Sequence, residues 1–456
     1  MISPQELTEY ALKTSRADET IVMVTDSSEA SLRWAGNSMT TNGVSTSRRW
    51  TVVAIVHDRD TSRVGTMTST SVDVDDIEAM VRAAETAAAD ARPAEDAMPL
   101  IVGDAEANWG NPAAHTDIEV FAEVARALEA GFDGSDKLYG FAHHQLDSLW
   151  LATSTGIRRH HVQPTGSVEV NGKRDFGSHV GSAWVGAATR DFRDVRVDDL
   201  LAQLATRLDW SAHTVDLPAG KYETLLPPSA VADLLIYLAW TMEGRGAQEG
   251  HTALSRPGGT RVGERLTDVP LTLCSDPAAP ELEFTPFVAT AASTDAVSVF
   301  DNGMPIERVD WIRDGVINAL AYPRAAAAEF DAPVAVPGDN LVLTGGSDAS
   351  LEDMVTHTER GLVLTTLWYI REVDPATLLL TGLTRDGVYL VEDGRISAAV
   401  NNFRFNESPL DLLRRVTEAG VTTRTLPREW KDWFTRTAMP PLRIPDFHMS
   451  SVSQAT

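Results

Sequence analysis

Cysteine is nearly absent from this chain of 456 residues, in which Cys274 is the single example. One cysteine excludes an internal disulfide and any cysteine-rich zinc cluster, and it fits a reducing compartment. Long apolar runs are lacking as well, because the most apolar stretch, Val231 to Met242, spans only twelve residues and contains Asp233. A membrane-spanning helix needs roughly 20 apolar residues. We therefore expect a buried helix here and no membrane partner.

Basic residues are also scarce: 39 Lys and Arg stand against 65 Asp and Glu, and the formal net charge is −26. Such a charge repels phosphate backbones and anionic membranes, so we expect no direct nucleic-acid binding. The N-terminus, MISPQELTEYALKTSRADET, lacks the basic and apolar segments of a secretory signal. Because 43% of the residues are apolar, packed cores in two or three domains are expected, in a soluble cytoplasmic protein.

The order of patterns along the chain predicts an α+β fold. Helical spacing at residues 4–15 and 75–92 alternates with strand-like, glycine-containing segments at 19–70 and 137–190. The segment HTVDLPAGKYETLLPPSA contains three prolines and a glycine, which favours a domain boundary near residue 216. We predict an N-terminal mixed α/β domain at residues 1–216. A β-rich C-terminal domain with the buried helix is predicted at residues 217–456.

The stretch EGRGAQEGH follows the apolar helix and contains Glu243, Glu249 and His251, which are candidate metal ligands. A helical zinc protease motif needs two histidines four residues apart with an adjacent glutamate, and this stretch has one histidine. On a helix, Glu249 and His251 would point about 200° apart, and the three glycines disfavour a helix here. We predict a loop or a helix terminus. A metal site at these three residues is kept as the alternative.

Two pairs of adjacent histidines, His143–His144 and His160–His161, offer other candidate ligands. Neighbours on a strand face opposite sides of the sheet and cannot share one ion without a bulge. We therefore predict surface or barrel-lining positions for them. The sequence also lacks a serine nucleophile elbow and a phosphate-binding loop, so no autonomous active site is specified.

The segment NNFRFNES, residues 401–408, alternates polar and aromatic side chains. If it is extended, Asn402, Arg404 and Asn406 share one side and the two phenylalanines share the other. One interpretation is a strand whose polar groups satisfy neighbouring backbone. The other is a substrate or partner surface, in which Arg404 holds a carboxylate through paired hydrogen bonds.

The segment from residue 361 to 408, GLVLTTLWYIREVDPATLLLTGLTRDGVYLVEDGRISAAVNNFRFNES, resembles the C-terminal part of the TldD/PmbA family. In that family a strand ending near WY, a TRDG turn, a turn like EDGRI and a strand like NFRFNES follow in this order. The motifs VGE, FDNGMP and IRDGVI match too, as does the N-terminal order of helix, meander and alanine-rich helix. The resemblance covers nearly the whole chain and implies a TldD/PmbA-like fold.

The resemblance also implies a heterodimeric metallopeptidase that cleaves peptides or unfolded proteins inside an enclosed cavity. In TldD-type subunits a helix carries H-E-x-x-x-H, and a later cysteine completes the metal site. Counting back from VGE places that motif near Ala239 to Gly244, where this sequence reads AWTMEG. Both histidines are missing, and Cys274 lies too early to replace the family ligand.

The resemblance therefore implies a TldE/PmbA-type subunit that has no catalytic residue, metal or other cofactor of its own. Its partner would be a TldD-type H-E-x-x-x-H subunit that holds zinc or another divalent metal. The family has also been named for effects on DNA gyrase, but the net charge argues against direct DNA contact. Two other functions stay open. One is an independent metal-dependent hydrolase with an atypical site, and the other is a homodimeric peptide-binding or regulatory protein.

Overall fold

A computed structural model describes residues 2–453 of the chain. The N-terminal half contains α1 (Pro4–Thr14), β1 (Glu19–Ala35), β2 (Met39–Asp58), β3 (Thr61–Ser69), α2 (Val74–Asp90), α3 (Ala122–Phe132), β4 (Lys137–Thr153), β5 (Arg158–Asp175), β6 (Val180–Thr189) and α4 (Val197–Trp210).

The C-terminal half is richer in strands. It contains β7 (Thr214–Val215), β8 (Gly220–Leu226), α5 (Pro228–Trp240), α6 (Gly244–Gln248), β9 (Ser255–Arg256), β10 (Gly259–Thr260), β11 (Thr272–Ser275), β12 (Val309–Arg313), β13 (Val316–Ile317), α7 (Arg324–Phe330), β14 (Asn340–Thr344), α8 (Leu351–Thr356), β15 (Arg360–Leu364), β16 (Leu367–Asp374), β17 (Leu379–Thr384), β18 (Val388–Glu392), β19 (Arg395–Val400), β20 (Phe403–Glu407), α9 (Pro409–Arg415), β21 (Glu418–Ala419), β22 (Thr423–Thr425), β23 (Arg436–Met439) and β24 (Leu442–Val452).

One antiparallel sheet forms the centre of the N-terminal half. Within residues 2–453 its strands follow the order β3-β2-β1-β4-β5-β6. Successive side chains of a strand point to opposite faces. On β1, Val22 and Val24 pack with α1 and α2, whereas Ile21 and Met23 face the other side. Farther along the same strand, Leu32 joins the cluster formed with α3 and α4.

The face of this sheet that the helices leave open is covered by the C-terminal half. Phe287, Val299 and Phe300 join Ile21 and Met23 in one buried cluster. The two halves of the chain therefore share a core, and the position of one fixes the position of the other.

Two sheets build the C-terminal half around α5. Across the described residues, a large sheet follows the order β16-β17-β20-β24-β8-β15-β18-β19-β7, and a smaller one the order β13-β12-β11-β14-β23-β22. The largest buried cluster joins α5 to both sheets, with Leu273 and Leu341 from the smaller one and Phe403 and Phe447 from the larger one. A helix that is apolar all round belongs in a core. The expected buried helix is confirmed, because nine of the 13 residues of α5 are buried.

The predicted α+β class is confirmed by this mixture of helices and largely antiparallel sheets. The division into residues 1–216 and 217–456 stays a prediction, and Thr214–Val215 pairs with β19 of the larger C-terminal sheet. Each helix in residues 2–453 is too short or too polar to span a lipid bilayer.

Gly65 lets α2 lie directly on β3. A Cβ at this position would stand 2.2 Å from both the carbonyl oxygen of Ala84 and the backbone nitrogen of Ala88. Because backbone cannot yield as a flexible side chain does, we expect Gly65→Ala to lower the free energy of unfolding by about 3 kcal/mol, at the upper end of overpacking costs. Urea denaturation measures this change.

Gly43→Ala is the matched control, because Gly43 lies on β2 and a methyl group added there would have no atom within 4 Å. We expect its effect to stay within about 0.5 kcal/mol, as for other exposed substitutions. Equal losses in the two variants would show that close packing of α2 on β3 is not the cause.

Candidate functional site

Helix α5 positions the candidate site at its C-terminal end. Pro228 occupies the first turn, where its missing N–H costs nothing, and a mostly apolar sequence follows, interrupted by Ser229 and Asp233. The helix ends after Trp240, where the hydroxyl of Thr241 donates to the carbonyl oxygen of Leu238 at 2.8 Å. Residues near this end therefore have fixed positions at the edge of the C-terminal core.

Asp233 ties α5 to a distant segment of the chain. The residue is fully buried, and its carboxyl oxygens accept hydrogen bonds from the backbone N–H groups of Arg428 at 3.2 Å and Glu429 at 2.8 Å. The indole N–H of Trp430 donates to the backbone oxygen of Asp233 at 2.8 Å. Burial raises the pKa of Asp233 well above its usual range, although the bonds from Glu429 and Arg428 oppose the rise.

An aromatic cluster forms where this anchored segment meets the end of α5. Trp430 packs edge-on against Trp240 with the ring centroids 4.9 Å apart, and Tyr237 lies 5.8 Å from Trp430. Trp240 is 43% exposed, and Trp433 in the same segment is 81% exposed. We call Tyr237, Trp240, Trp430 and Trp433 the aromatic surface. Large aromatic side chains left open to solvent are typical of binding surfaces.

The same segment closes part of a sheet edge. The carboxylate of Glu429 accepts the backbone N–H groups of Tyr369 at 2.9 Å and Ile370 at 3.0 Å on the edge strand β16. Tyr369 has a positive φ of 56° at an irregularity in the pairing of this strand, and the Arg371 guanidinium lies 4.3 Å from its ring centroid. An incoming strand cannot use these two N–H groups, so this edge is protected against strand addition.

The chain beyond α5 turns sharply and begins a second helix. The N–H of Ala321 donates to Met242 at 2.8 Å, and the N–H of Gly244 donates to Ala321 at 2.9 Å. A Cβ on Gly244 would stand 2.2 Å from the ring of Tyr322, so the close packing requires glycine. Of the predicted loop or helix terminus, the structure has the second, because Gly244–Gln248 form the short helix α6 with Glu243 at its N-cap and Glu249 at its C-cap. The packing of Gly244 against Tyr322 outweighs the low helix propensity of glycine.

The three candidate ligands do not converge on one point. Glu243 precedes α6, and burial, followed by the charge of Asp295, raises its pKa. Glu249 follows α6 and lies 3.5 Å from the Nδ1 atom of His251. Arg245 forms ion pairs with Glu249 at 3.4 Å and with Glu329. Across residues 2–453, no group of three or more His, Cys, Asp or Glu side chains is arranged to hold a metal ion.

Residues 239–244, where the sequence resemblance predicts the metal motif of TldD-type subunits, do not fit a catalytic metal. A catalytic zinc takes three protein ligands and keeps a fourth position for water. The segment 239–244 supplies one carboxylate, Glu243, and no imidazole. We therefore derive no chemical step through a metal in this chain.

The prediction of surface or barrel-lining positions is wrong for His144 and His160, which are both buried. His144 bonds to the hydroxyl of Thr116 at 2.6 Å and to the carbonyl oxygen of Arg190 at 2.7 Å. His160 stacks on Trp150 with the centroids 4.5 Å apart and bonds to a backbone carbonyl at 3.0 Å. These partners identify them as packed core histidines, and alternation alone could not distinguish a buried face from an open one.

The polar strand is extended, and the two phenylalanines of β20 are fully buried as its alternation predicts. Arg404 is exposed and donates to the hydroxyl of Thr381 at 3.3 Å. Asn406 is half-buried beside a cavity of 340 Å³, and its side-chain oxygen has no hydrogen-bond partner among the described residues. The backbone oxygen of Asn402 accepts from Ser453 at 2.8 Å. A substrate or partner surface at Asn402, Arg404 and Asn406 stays a prediction.

Sequence reasoning missed the anchor at Asp233 and the aromatic surface. In the sequence, Asp233 served only as an argument against a membrane span. A lone carboxylate inside an apolar helix was nevertheless a usable signal, because a buried acid requires hydrogen-bond donors from elsewhere. The position of those donors in the chain carries no local signal.

These features define the class of protein: an α+β chain whose N-terminal sheet of long hairpins packs on a β-rich half organised around a buried helix. The family model of the PmbA/TldA metallopeptidase C-terminal domain matches residues 219–451, and the model of domain 1 of the same metallopeptidases matches residues 22–91. The chain belongs to the PmbA/TldD family.

Solved structures share the fold over almost the whole chain. TldE from Thermococcus kodakarensis has a TM-score of 0.78 at 16% identity, covering 97% of this chain and 98% of its own. A proposed modulator of DNA gyrase from Thermotoga maritima MSB8 has a TM-score of 0.75 at 15% identity, covering 94% and 95%. Another, from Bacteroides thetaiotaomicron VPI-5482, has 0.76 at 15%, covering 99% and 100%. Among curated proteins, none matches this chain.

The raised pKa of Asp233 predicts a specific pH dependence of stability. The folded-state pKa lies above the unfolded value of about 3.9, so the folded chain holds this proton more tightly. The resulting stability is fully present below the unfolded pKa and is lost as the pH rises through the folded pKa. We expect the free energy of unfolding of the unmodified chain, relative to Asp233→Asn, to fall as the pH rises from about 4. Urea titrations at several pH values measure it.

Asp104→Asn is the control, because Asp104 is exposed and its side chain makes no hydrogen bond within the described residues. Its stability difference from the unmodified chain should not follow the trend seen for Asp233→Asn. A difference for Asp233→Asn that stays constant with pH would contradict a raised pKa at this residue.

Proposed function

We propose that this chain is a non-catalytic TldE/PmbA-type subunit of a heterodimeric TldD/TldE metallopeptidase. In this proposal it encloses peptides or unfolded proteins while a TldD-type subunit cleaves them. The observation that carries the proposal is the donor set after α5: AWTMEG provides one carboxylate where the family motif would provide two imidazoles. Family membership and the shared fold of TldE support the same assignment.

A non-catalytic subunit of this kind would leave the chemistry to its partner. Zinc or another divalent metal would be held by the H-E-x-x-x-H helix of the TldD-type subunit, and that metal would supply water activation. Glu243 alone cannot hold and orient a metal-bound water. The contribution of this chain is then to binding, enclosure and stability.

The aromatic surface suits an unfolded substrate. Side chains of any unfolded chain expose apolar groups, and open tryptophan rings bind such groups without demanding one sequence. Trp240 ends α5 and packs against Trp430, whose indole N–H donates to the backbone oxygen of Asp233, so these two rings have fixed positions. Trp433, which is 81% exposed, follows in the same segment. Rigid aromatic groups lose little conformational entropy on binding.

A second feature suited to extended chains is the free edge of β2. β3 pairs with Trp50–Asp58 only, so the edge of Met39–Arg49 has no neighbouring strand among the described residues, and nearly all its side chains are exposed. An extended peptide can add to such an edge through backbone hydrogen bonds, which are independent of sequence. This edge therefore supports enclosure of unfolded chains better than the protected edge of β16.

The proposal is tested by metal analysis and peptidase assays on the purified full-length chain, alone and mixed with its TldD-type partner. The substrate is a fluorescein-labelled unfolded protein. We expect no stoichiometric metal and no cleavage from the chain alone, and cleavage in the mixture. A partner with the first motif histidine changed to alanine controls for the source of the activity.

Two results would overturn this function. Stoichiometric metal with chelator-sensitive cleavage by the isolated chain would establish the independent hydrolase. Glu243, Glu249 and His251 would then be its candidate metal ligands. Failure to associate with the partner, together with peptide binding by a homodimer, would establish the peptide-binding or regulatory protein.

Arg404→Ala tests the polar strand as a substrate or partner surface. We expect about a tenfold weaker affinity for the TldD-type partner, or a tenfold higher KM for peptide, since a charge-assisted hydrogen bond lost at an interface costs about 1.4 kcal/mol or more. The melting temperature should not change, because Arg404 is exposed. Surface plasmon resonance and steady-state kinetics measure the two effects.

Arg395→Ala is matched to this variant, because Arg395 is an exposed arginine on β19 of the same sheet. It should leave the affinity and the KM unchanged. Unchanged values in Arg404→Ala as well would remove Arg404 from the interface.

A further inference from the structure

A cavity of 390 Å³ lies at the other end of α5, between the two halves of the chain. It is bounded by β6 and α4 on one side and by the start of α5 and β22 on the other, with Trp184, Arg207, Ser229 and Arg424 in its wall. α5 has 13 residues, so its first turn lies about 18 Å from the aromatic surface at 1.5 Å per residue. The cavity is therefore separate from the candidate site described above.

Arg207 brings a buried positive charge to this cavity without a counter-ion. The residue is only 8% exposed, and its Nη1 group donates to the carbonyl oxygen of Trp184 at 2.6 Å. Among residues 2–453, no carboxylate lies within ion-pair distance of its guanidinium, and its side chain makes no further hydrogen bond. A guanidinium offers five N–H donors, so most of them are left for another acceptor. An uncompensated buried charge costs several kcal/mol.

The pKa of the Arg207 guanidinium also reflects its burial. Burial lowers the pKa of its guanidinium, and the more distant acidic groups of Tyr389 and Glu352 oppose this only in part. The guanidinium nevertheless stays protonated at neutral pH, because an arginine pKa begins above 12.

The first turn of α5 adds donors of its own to the cavity. Pro227 and Pro228 line it but have no N–H group, whereas the next N–H groups, of Ser229 and Ala230, lack acceptors within the helix. The hydroxyl of Ser229 also lines the cavity, and it makes no hydrogen bond to any residue from 2 to 453. Free N–H groups and the helix dipole together favour an anion at this end.

The other arginines of the wall are already neutralised. Arg424 pairs with Asp194 and, at 3.2 Å, with Glu281. Arg196 pairs with Asp199 at 3.0 Å. Arg424 thus faces two carboxylates, and Asp194 and Asp199 themselves line the cavity. Among the described residues, Arg207 is the arginine of this wall that has no carboxylate within ion-pair distance.

We propose that this cavity binds an oxyanion group, carboxylate or phosphate, through the Arg207 guanidinium and the first turn of α5. A planar guanidinium matches both anions with paired hydrogen bonds. The volume of 390 Å³ exceeds the roughly 30 Å³ that one water occupies in the liquid, so the cavity also has room for a group attached to the anion. Two sources carry this chemistry: free phosphate, and the C-terminal carboxylate of a short peptide.

The test uses isothermal titration calorimetry on the full chain alone, so its outcome does not depend on the peptidase proposal. The probes are sodium phosphate, the tripeptide Ala-Ala-Ala with a free C-terminus, and the same tripeptide as the C-terminal amide, at ionic strength held constant with chloride. Phosphate binding assigns the site to phosphate. Binding of the free acid and not of the amide assigns it to a peptide carboxylate.

Variants then locate the binding. We expect Arg207→Met to lower the affinity for the probe at least tenfold and Ser229→Ala to lower it about threefold. Arg126→Met, an exposed arginine on α3, removes the same charge elsewhere and should bind as the unmodified chain does. If Arg207 has only a structural role, Arg207→Met should change the melting temperature by the same amount with and without the probe.

The proposal is overturned if neither phosphate nor the free-acid peptide binds saturably, or if Arg207→Met binds as tightly as the unmodified chain. If Arg207→Met does not fold, Ser229→Ala decides, because it keeps the arginine and removes one hydroxyl. Unchanged binding in that variant then counts against the site.

Discussion

The hydrogen bonds of Asp233 are the constraint on which the C-terminal half depends. A carboxyl group buried among leucines is tolerated only when donors reach it, and those donors are backbone N–H groups about 195 residues away in the chain. Because backbone groups cannot be repositioned one by one, satisfying Asp233 fixes the whole turn at 428–430. Trp430 and Glu429 then take their places, one against Trp240 and the other across the edge of β16.

The two ends of α5 differ in chemical character because they meet different parts of the chain. At its C-terminal end the helix meets the anchored turn, and large rings are held there with part of their surface open. At its first turn the helix meets the N-terminal half. Two prolines there reduce the number of free backbone N–H donors, and Arg207 has no carboxylate within ion-pair distance among the described residues. One buried helix thus supports an aromatic surface and a cavity with a buried arginine in its wall, about 18 Å apart.

Much of the fold could be predicted because the relevant information is local. The apolar run predicts α5, and the period of two at NFRFN predicts that Phe403 and Phe405 enter the core. Two other features have a different cause. Gly244 lies in α6 because its close packing against Tyr322, which leaves no room for a side chain, outweighs the low helix propensity of glycine. His144 is buried because the segment at Thr116 covers it. Both contacts are long-range, and a single sequence carries no periodic signal for them.

The contacts that hold α5 in place include no metal ligand. The helix is held by apolar packing along its length and by Asp233 near its middle, and Met242 just past its end belongs to the same buried cluster. The turn there is closed by backbone hydrogen bonds between Met242, Gly244 and Ala321, which any side chain at position 243 would leave intact. Gly244 lies against the ring of Tyr322, so an imidazole at this position would require that ring to move. The close packing of α6 on Tyr322 and a histidine at position 244 therefore exclude each other.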